Sequence, residues 1–349
     1  MTLFVRSMIS PAVAFALTLG ALALPAKPAA ALEKIPLSLA WTIGGSNGPL
    51  YIAMDRGYFA AEGLEIDAVP GDGSANVVNR LASGAYQIGF GDVPSVIKYD
   101  TLNPDKKVMV IYNQFPSDLS IVSLKGRGIS TPQDLKGKTI GAPTGDTAYK
   151  MFAAFASANK ISADDMKWEH MAITLREPML IQGKVDAITA NESTAYFALK
   201  GAGIPDSDMV FIRYPEHGIN LVGSGMMVNE SYAKEHPDTV RKIVKAFNHG
   251  WEDSFADPKA SLDAALKRDP LLKPDIEMGR LKYAIKGMVG QPDAKKAGIG
   301  AYTDETLAAS IDIIAASEKL TTKIAPKDMS DMSFLPPIAE RHLPTATIN

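Results

Sequence analysis

The chain has 349 residues, with 36 basic against 39 acidic side chains, no cysteine and a hydrophobic content of 46%. A net charge of −3 gives no electrostatic footprint for nucleic acid, and the missing thiols exclude disulfides, thiol catalysis and thiolate metal sites. The length exceeds what one hydrophobic core usually holds, so we expect two domains.

Residues 1–31 are typical of a cleaved secretory signal peptide. Arg6 supplies the positive n-region, an apolar run covers 9–24, and Ala29-Ala30-Ala31 fits a small-x-small cleavage site. The apolar run is short and broken by Pro11, which disfavours the alternative of an uncleaved membrane anchor. A lipid anchor would need a cysteine after cleavage, so we expect a protein released into the periplasm. Its net charge is −5, from 34 basic and 39 acidic residues.

Strand, glycine turn and helix then recur, a pattern that indicates βαβ units. In the first part of the chain, strands are predicted at 35–41, 64–69, 108–112 and 119–124, with a loop at 113–116. A second unit follows, with a short helix at 130–135, strands at 138–142 and 209–214, and a helix at 147–160. Thr174 and Glu177 have the spacing of a capping box for a helix that ends at Gly183.

The last third is almost wholly helical after a strand predicted at 221–228. Val240, Ile243, Val244, Phe247 and Trp251 fall on one helix face, which indicates ordinary core packing.

One loop pattern occurs twice, at residues 81–92 and 180–191. Each copy predicts a helix end, a glycine stop, a short buried strand and a turn that ends in Asp92 or Asn191. A glycine-containing loop that opens a helix precedes each copy, at 71–74 and 144–147. Because ligands bind at the carboxyl ends of parallel strands, two such loop sets on facing lobes predict a cleft for a small solute.

Several segments resemble a known family. Trp41 with the glycine-rich loop after it, residues 49–53 and residues 57–64 resemble the N-terminal signature of periplasmic solute-binding proteins. The branch is the nitrate/sulfonate/taurine and thiamine-pyrimidine-precursor group. Residues 134–141 are similar to the segment entering its second lobe, and residues 176–187 to the core of that lobe.

The resemblance implies an α/β, two-lobed periplasmic-binding-protein fold of type II-like organisation, with a mixed sheet flanked by helices in each lobe and two hinge crossovers. We expect lobe one to comprise residues 33–118 plus 226–349 and lobe two residues 119–225, with crossovers at 115–119 and 219–225. It also implies a receptor that delivers one solute to the permease and ATPase subunits of an ABC importer, acting as a monomer.

The same superfamily has an enzyme-like branch that makes the thiamine pyrimidine from its own histidine and bound pyridoxal phosphate. That branch carries a cysteine-rich iron-binding motif, whereas this chain has no cysteine. Its five histidines show no recognisable metal spacing either. The sequence therefore predicts a binding protein without enzymatic activity, cofactor or metal.

Ten residues of the predicted cleft loops are candidate ligand contacts. They are Trp41, Asn47, Ser74, Asp92, Phe115, Gly145, Asp146, Thr147, Asn191 and Glu192. Trp41 and Phe115 offer ring faces, and the helix beginning near Thr147 offers free N–H groups, with Asp146 either capping that helix or contacting the ligand.

The predicted loops contain carboxylates but no arginine or lysine, which favours an amino-pyrimidine-like or ammonium-bearing solute. Aliphatic sulfonates, nitrate and aromatic carboxylates stay open as alternatives. If Glu192 accepts a hydrogen bond from a ligand amino group, Glu192→Gln should weaken binding roughly ten- to a hundred-fold.

Overall fold

The computed structural model describes residues 1–3, 31–105 and 107–344. Residues 4–30, which hold most of the predicted signal peptide, lie outside this part of the chain. Within the described ranges, no helix combines the length and the apolar character that a membrane crossing requires.

The described residues form ten named strands. These are β1 (Glu33–Ser38), β2 (Leu64–Val69), β3 (Ile88–Asp92), β4 (Val108–Phe115), β5 (Leu119–Leu124), β6 (Thr139–Ala142), β7 (Lys167–His170), β8 (Ala187–Asn191), β9 (Met209–Arg213) and β10 (Ser224–Asn229). They make two five-stranded sheets, with the orders β2-β1-β3-β10-β4 and β7-β6-β8-β5-β9.

The two sheets have the same topology. Three neighbouring strands of each sheet are parallel, and one antiparallel strand lies between the third of them and the edge strand. That inserted strand is the one that the chain forms on arriving from the other sheet: β5 in the second sheet and β10 in the first. The arrangement confirms the predicted fold class, two mixed α/β domains with two crossovers.

Helices flank both sheets. They are α1 (Gly48–Asp55), α2 (Tyr58–Ala61), α3 (Ser74–Ala82), α4 (Val93–Leu102), α5 (Thr147–Lys150), α6 (Phe152–Ala158), α7 (Arg176–Ile181), α8 (Glu192–Gly201), α9 (Glu230–Glu235), α10 (Pro237–Ala256), α11 (Pro258–Leu266), α12 (Pro274–Gly290), α13 (Pro292–Ala297), α14 (Asp304–Ser317) and α15 (Pro326–Met329). The predicted apolar face of α10 is buried in one core with residues of β1, β4 and α12.

The repeated loop pattern has the predicted structure in both copies. Helix α3 ends before Gly84 and helix α7 before Gly183, and both glycines have a positive φ, of 77° and 70°. The short strands that follow, β3 and β8, are buried along most of their length.

Some predicted boundaries differ from the structure. Strand β1 ends at Ser38, so Trp41 lies in the loop after it, while β4 runs on to Phe115 because β10 pairs with it there. Strand β10 begins at Ser224 instead of residue 221. The helix predicted at 147–160 is interrupted at Met151.

The predicted capping box at Thr174 does not form. Residues Ile173–Leu175 make a 3-10 turn, and Leu175 takes the N-cap position of α7 without a side-chain cap. The Glu177 carboxylate accepts hydrogen bonds from Arg176 instead, because burial of that guanidinium requires a partner.

The crossing of helices α1 and α10 depends on a glycine. A methyl group on Gly250 would overlap the carbonyl oxygen of Pro49 and lie 2.9 Å from Cβ of Ala53. We therefore expect Gly250→Ala to lower the free energy of unfolding by about 1–3 kcal/mol, measured by urea denaturation. The matched control is Gly290→Ala at the end of α12, where nothing lies within 4 Å; its effect should be within about 1 kcal/mol of zero. Equal effects of the two substitutions would contradict this account.

Candidate functional site

A cavity of about 420 Å³ lies between the two sheets, at the carboxyl ends of β3 and β8. This volume is in the usual range for small-molecule sites. The lining includes Trp41, Asn47, Ser74 and Asp92 from the first sheet and its loops, Asp146, Thr147, Glu177 and Asn191 from the second, Gln114, Phe115 and Asp118 at the crossover, and Glu277, Arg280 and Tyr283 from helix α12.

Eight of the ten candidate residues line this cavity. They are Trp41, Asn47, Ser74, Asp92, Phe115, Asp146, Thr147 and Asn191. The other two, Gly145 and Glu192, do not. Both copies of the repeated loop pattern end at the cavity, with Asp92 and Asn191.

The sheet topology explains why crossover residues join the site. Asp92, the last residue of β3, pairs with Ser224, the first residue of β10. In the second sheet, Asn191 ends β8 opposite Leu119, the first residue of β5. Each antiparallel strand thus begins where a parallel strand ends, so the residues just before it reach the same edge.

Asp118 is the main consequence of this arrangement. Its Oδ1 accepts a hydrogen bond from Asn191 Nδ2 at 2.8 Å, and its Oδ2 accepts from the Ser193 backbone N–H at 2.9 Å and from the Ser193 hydroxyl at 2.5 Å. Asp118 lies inside the predicted crossover at 115–119 but was not predicted as a site residue. Its position beside β8 depends on the pairing of β5 with that strand, for which the local sequence gives no signal.

Asp92 is held by the first turn of α3. The Ser74 hydroxyl accepts from the Asp92 backbone N–H at 2.9 Å and donates to Asp92 Oδ2 at 3.2 Å. Across the cavity edge, the Thr147 hydroxyl is 3.3 Å from that of Ser95 on α4, which links helices of the two sheets.

Asp146 both caps a helix and lines the cavity. Its Oδ1 accepts from the Ala148 backbone N–H at 3.2 Å, and its Oδ2 accepts from the Thr189 hydroxyl at 2.6 Å. The two roles considered for Asp146 are therefore compatible, because one oxygen caps α5 while the carboxylate borders the cavity.

A buried arginine lies against Trp41, one of the aromatic residues that line the cavity. Arg176 is 1% exposed and donates from Nε and Nη2 to Glu177 Oε1 at 2.9 and 2.5 Å. Its Nη1 is 3.9 Å from Asp146 Oδ2. The guanidinium carbon is 4.7 Å from the centroid of the Trp41 ring, a cation–π contact between the two sheets.

Helix α12 brings a second arginine to the cavity. Glu277 accepts from the Gly45 backbone N–H at 2.7 Å and from Arg280 Nε at 3.2 Å. Arg280 Nη1 also donates to the Thr194 carbonyl at 3.4 Å. The predicted loops contain no arginine, but the cavity does, because a helix that returns late in the chain contributes Arg280.

The cavity nevertheless carries an excess of negative charge. Among its described lining residues are five carboxylates and one guanidinium: Asp92, Asp118, Asp146, Glu177 and Glu277 against Arg280. Counting the adjacent Arg176 adds one positive charge. The two arginines form their hydrogen-bonded ion pairs with Glu177 and Glu277, whereas, among the described residues, Asp92 and Asp118 have no ion pair.

This clustering changes the acidity of Asp92. Burial raises its pKa to about 6, the negative charges of Asp118 and Asp146 add to the rise, and hydrogen bonds from Thr147 and Ser74 oppose it. Burial also raises the pKa of Asp146, against the stabilising charge of Arg176. A ligand that donates hydrogen bonds or carries positive charge would relieve this repulsion.

Glu192 does not line the cavity. Its two oxygens accept from Arg213 Nε and Nη2 at 2.5 and 2.8 Å, so its charge is already paired. Glu192 is the first residue of α8 and Arg213 the last of β9, and their contact joins two elements that flank β5. Both oxygens of Glu192, the predicted acceptor for a ligand amino group, therefore already accept hydrogen bonds from Arg213.

Gly145 is a contact between loops of the two sheets. A methyl group on it would lie 2.6 Å from the Asp72 carbonyl oxygen and 3.1 Å from Asn76 Nδ2. The adjacent Gly73 has a φ of 122°, which strongly favours glycine. Both glycines allow the two helix-opening loops to approach each other at the cavity edge.

Two α/β domains joined by two crossovers, with a solute-sized cavity between them, define the class of periplasmic-binding-protein folds. Within that class, the chain belongs to the NMT1/THI5-like family, which it matches over residues 46–261. This confirms the family indicated by the sequence.

The relatives include solute-binding proteins and synthases. The chain is 26% identical to a riboflavin-binding protein of Chloroflexus aurantiacus, with 72% of this chain and 69% of the relative covered. It is 24% identical to a formylaminopyrimidine-binding protein of Halalkalibacterium halodurans, with 74% and 78% covered. It is also 23% identical to a 4-amino-5-hydroxymethyl-2-methylpyrimidine phosphate synthase of Uromyces fabae, with 69% and 72% covered.

A solved structure supports the fold. The alkanesulfonate-binding protein of Xanthomonas axonopodis pv. citri, bound to MOPS, aligns with a TM-score of 0.65 at 15% identity, covering 87% of this chain and 99% of that one.

All five histidines of the chain are among the described residues, and none of them lines the cavity.

The raised pKa of Asp92 predicts how stability depends on pH. The folded protein holds this proton more tightly than the unfolded chain, so the contribution is fully present below about pH 4 and is lost as the pH rises through about 6. Asp92→Asn, which stays neutral, should raise the free energy of unfolding of the ligand-free protein at pH 7.5 by ~1–2 kcal/mol, with a smaller effect at pH 4.5. Urea denaturation at both values measures this. Asp67→Asn on an exposed strand position is the control, and an unchanged pH profile in Asp92→Asn would refute the prediction.

Gly145→Ala should hold the two domains apart, because the added methyl group meets the backbone of the opposite loop. We expect a larger radius of gyration by small-angle scattering, with less than ~1 kcal/mol change in unfolding free energy. Gly201→Ala is the matched control: it faces Ile276 on α12 at an ordinary 3.7 Å and should leave the radius unchanged. Identical scattering curves for Gly145→Ala and the wild type would show that this contact does not limit closure.

Proposed function

We propose that the chain is the periplasmic solute-binding component of an ABC importer and that its solute is a small nitrogen heterocycle bearing an amino group. The observation that carries the proposal is the excess of carboxylates over cations in a cavity with aromatic walls. Asp92 and Asp118 have charges that a ligand amine or ring N–H would complement.

The aromatic side chains support a planar ligand. Trp41, Phe115 and Tyr283 line the cavity, and the guanidinium of Arg176 already lies over the Trp41 ring. Heterocycles stack on such rings at little cost in polar desolvation. Two relatives are named for binding nitrogen heterocycles, riboflavin and a formylaminopyrimidine. Riboflavin carries a ring N–H but no amino group, so only the second name supports the amino substituent.

Delivery to a permease and ATPase is part of this proposal, and two relatives that are named as binding proteins support it. In this proposal, residues 1–31 direct export and are removed, and the mature protein acts as a monomer. Lobe one comprises 33–118 plus 226–349 and lobe two 119–225. The passage of the chain to the second sheet after Phe115, and its return at Ser224, support these boundaries.

We propose a receptor rather than a synthase, although some relatives are synthases. The chain has no cysteine, and its cavity lining, as far as the described residues go, includes no histidine. A synthase that uses its own histidine would need one at the site. The bound compound should therefore be returned unchanged.

Isothermal titration of the processed protein tests the ligand class. The panel is 4-amino-5-hydroxymethyl-2-methylpyrimidine, riboflavin, ethanesulfonate and nitrate, and we expect binding of the aminopyrimidine and of neither anion. Asp118→Asn should weaken that binding roughly ten- to a hundred-fold, because it removes a charge-assisted contact.

Glu192→Gln is the matched control for Asp118→Asn, because it also neutralises a half-buried carboxylate near the cavity. Its paired oxygens do not line the cavity, so we expect less than about a threefold change in affinity. Tight binding of ethanesulfonate or nitrate, unaffected by Asp118→Asn, would contradict the proposed solute class and support the anion alternative.

A further inference from the structure

Strand β4 carries an irregularity at the edge of the cavity. Ser224 of β10 pairs with Phe115, whereas the next residue, Gly225, pairs with Asn113. Gln114 is therefore the extra residue of a β-bulge. Bulges redirect side chains and are common beside binding sites.

The bulge has a visible effect on which side chains reach the cavity. In a regular strand, successive side chains point to opposite faces, so two neighbours would not both border one site. Gln114 and Phe115 nevertheless both line the cavity. Their side chains carry an amide and an aromatic ring.

The Gln114 amide is buried and without a partner. The residue is 4% exposed, and its backbone carbonyl accepts from Gln291 Nε2 at 3.4 Å. Among the described residues, none makes a hydrogen bond to its side-chain amide. The amide atoms are not fully enclosed, and the residue to which they belong lines the cavity.

A primary amide presents an acceptor and a donor side by side. It forms paired hydrogen bonds with an edge that has the complementary donor and acceptor, such as an amino group next to a ring nitrogen. Ser224 joins β3 and β4 at this end of the sheet, which places Asp92 two strands away from the bulge on the same edge. Asp92 is available there as a second acceptor.

We propose that Gln114 is the specificity-determining residue of the site and reads the amino–ring-nitrogen edge of the solute. This inference rests on the proposed function and narrows it: the solute carries its amino group on a carbon adjacent to an unsubstituted ring nitrogen. Phe115, the next residue of the same bulge, contacts the ring.

The test compares two probes on three proteins by isothermal titration. The probes are 4-amino-5-hydroxymethyl-2-methylpyrimidine and its analogue with C–H in place of the ring nitrogen next to the amino-bearing carbon. The wild type should prefer the first probe roughly ten- to a hundred-fold, the discrimination expected of one bidentate pair. Gln114→Met, of similar size, should reduce the preference to less than about threefold.

Gln291→Met is the matched control. It removes another buried glutamine amide, which contacts the Gln114 backbone but does not line the cavity. It should retain the preference for the first probe even if it lowers stability, which separates reading of the ligand from support of the strand.

Full discrimination in Gln114→Met would overturn the inference while leaving the proposed solute class intact. Loss of discrimination in Gln291→Met as well would also overturn it, because the effect would then be structural. Failure of the wild type to bind either probe would overturn the proposed amino-heterocycle class, and the inference with it.

Discussion

The burial of the Arg176 guanidinium is the constraint around which the cavity is organised. A charge removed from water is costly unless it is paired and hydrogen-bonded. Glu177 accepts two hydrogen bonds from Arg176, and Asp146 Oδ2 lies 3.9 Å from Arg176 Nη1. The Trp41 ring covers a face of the cation. Because Trp41 comes from the first sheet and the other groups from the second, satisfying this one charge brings loops of both domains together at the cavity.

The same arrangement leaves the rest of the site electrostatically incomplete. Arg176 and Arg280 are engaged by neighbouring glutamates, and Asp92 and Asp118 keep charges that only hydrogen-bond donors offset. These aspartates lie where the antiparallel strands β10 and β5 begin, so the crossovers that join the domains also supply groups that line the cavity. In the proposed function, domain closure and recognition of the solute would therefore depend on the same short segments.

The local part of this site could be predicted from the sequence, and the part made by tertiary packing could not. Glycine stops, buried strands and helix-opening loops are local signals, and they identified Ser74, Asp92, Asp146 and Asn191 as cavity residues. Glu277 and Arg280 reach the cavity on a helix that packs there only after the chain has returned to the first sheet. The local sequence does not distinguish Glu192 from the cavity residues next to it, because its ion pair with Arg213 forms only in the folded chain. The sequence predicts a loop at 113–116, which includes Gln114. The bulge at Gln114 depends on pairing with a strand 110 residues later, for which the local sequence has no signal.

The central claim, that an acidic cavity selects a solute rich in hydrogen-bond donors, is tested most directly by identifying what the protein binds in its own cell extract. The processed protein is incubated with the extract, washed and denatured, and the released compound is identified by mass spectrometry and offered to refolded protein. We predict a single amino-substituted nitrogen heterocycle that is released unchanged and binds again. Release of a sulfonate, nitrate or carboxylate as the bound solute, or of a chemically converted product, would contradict the account.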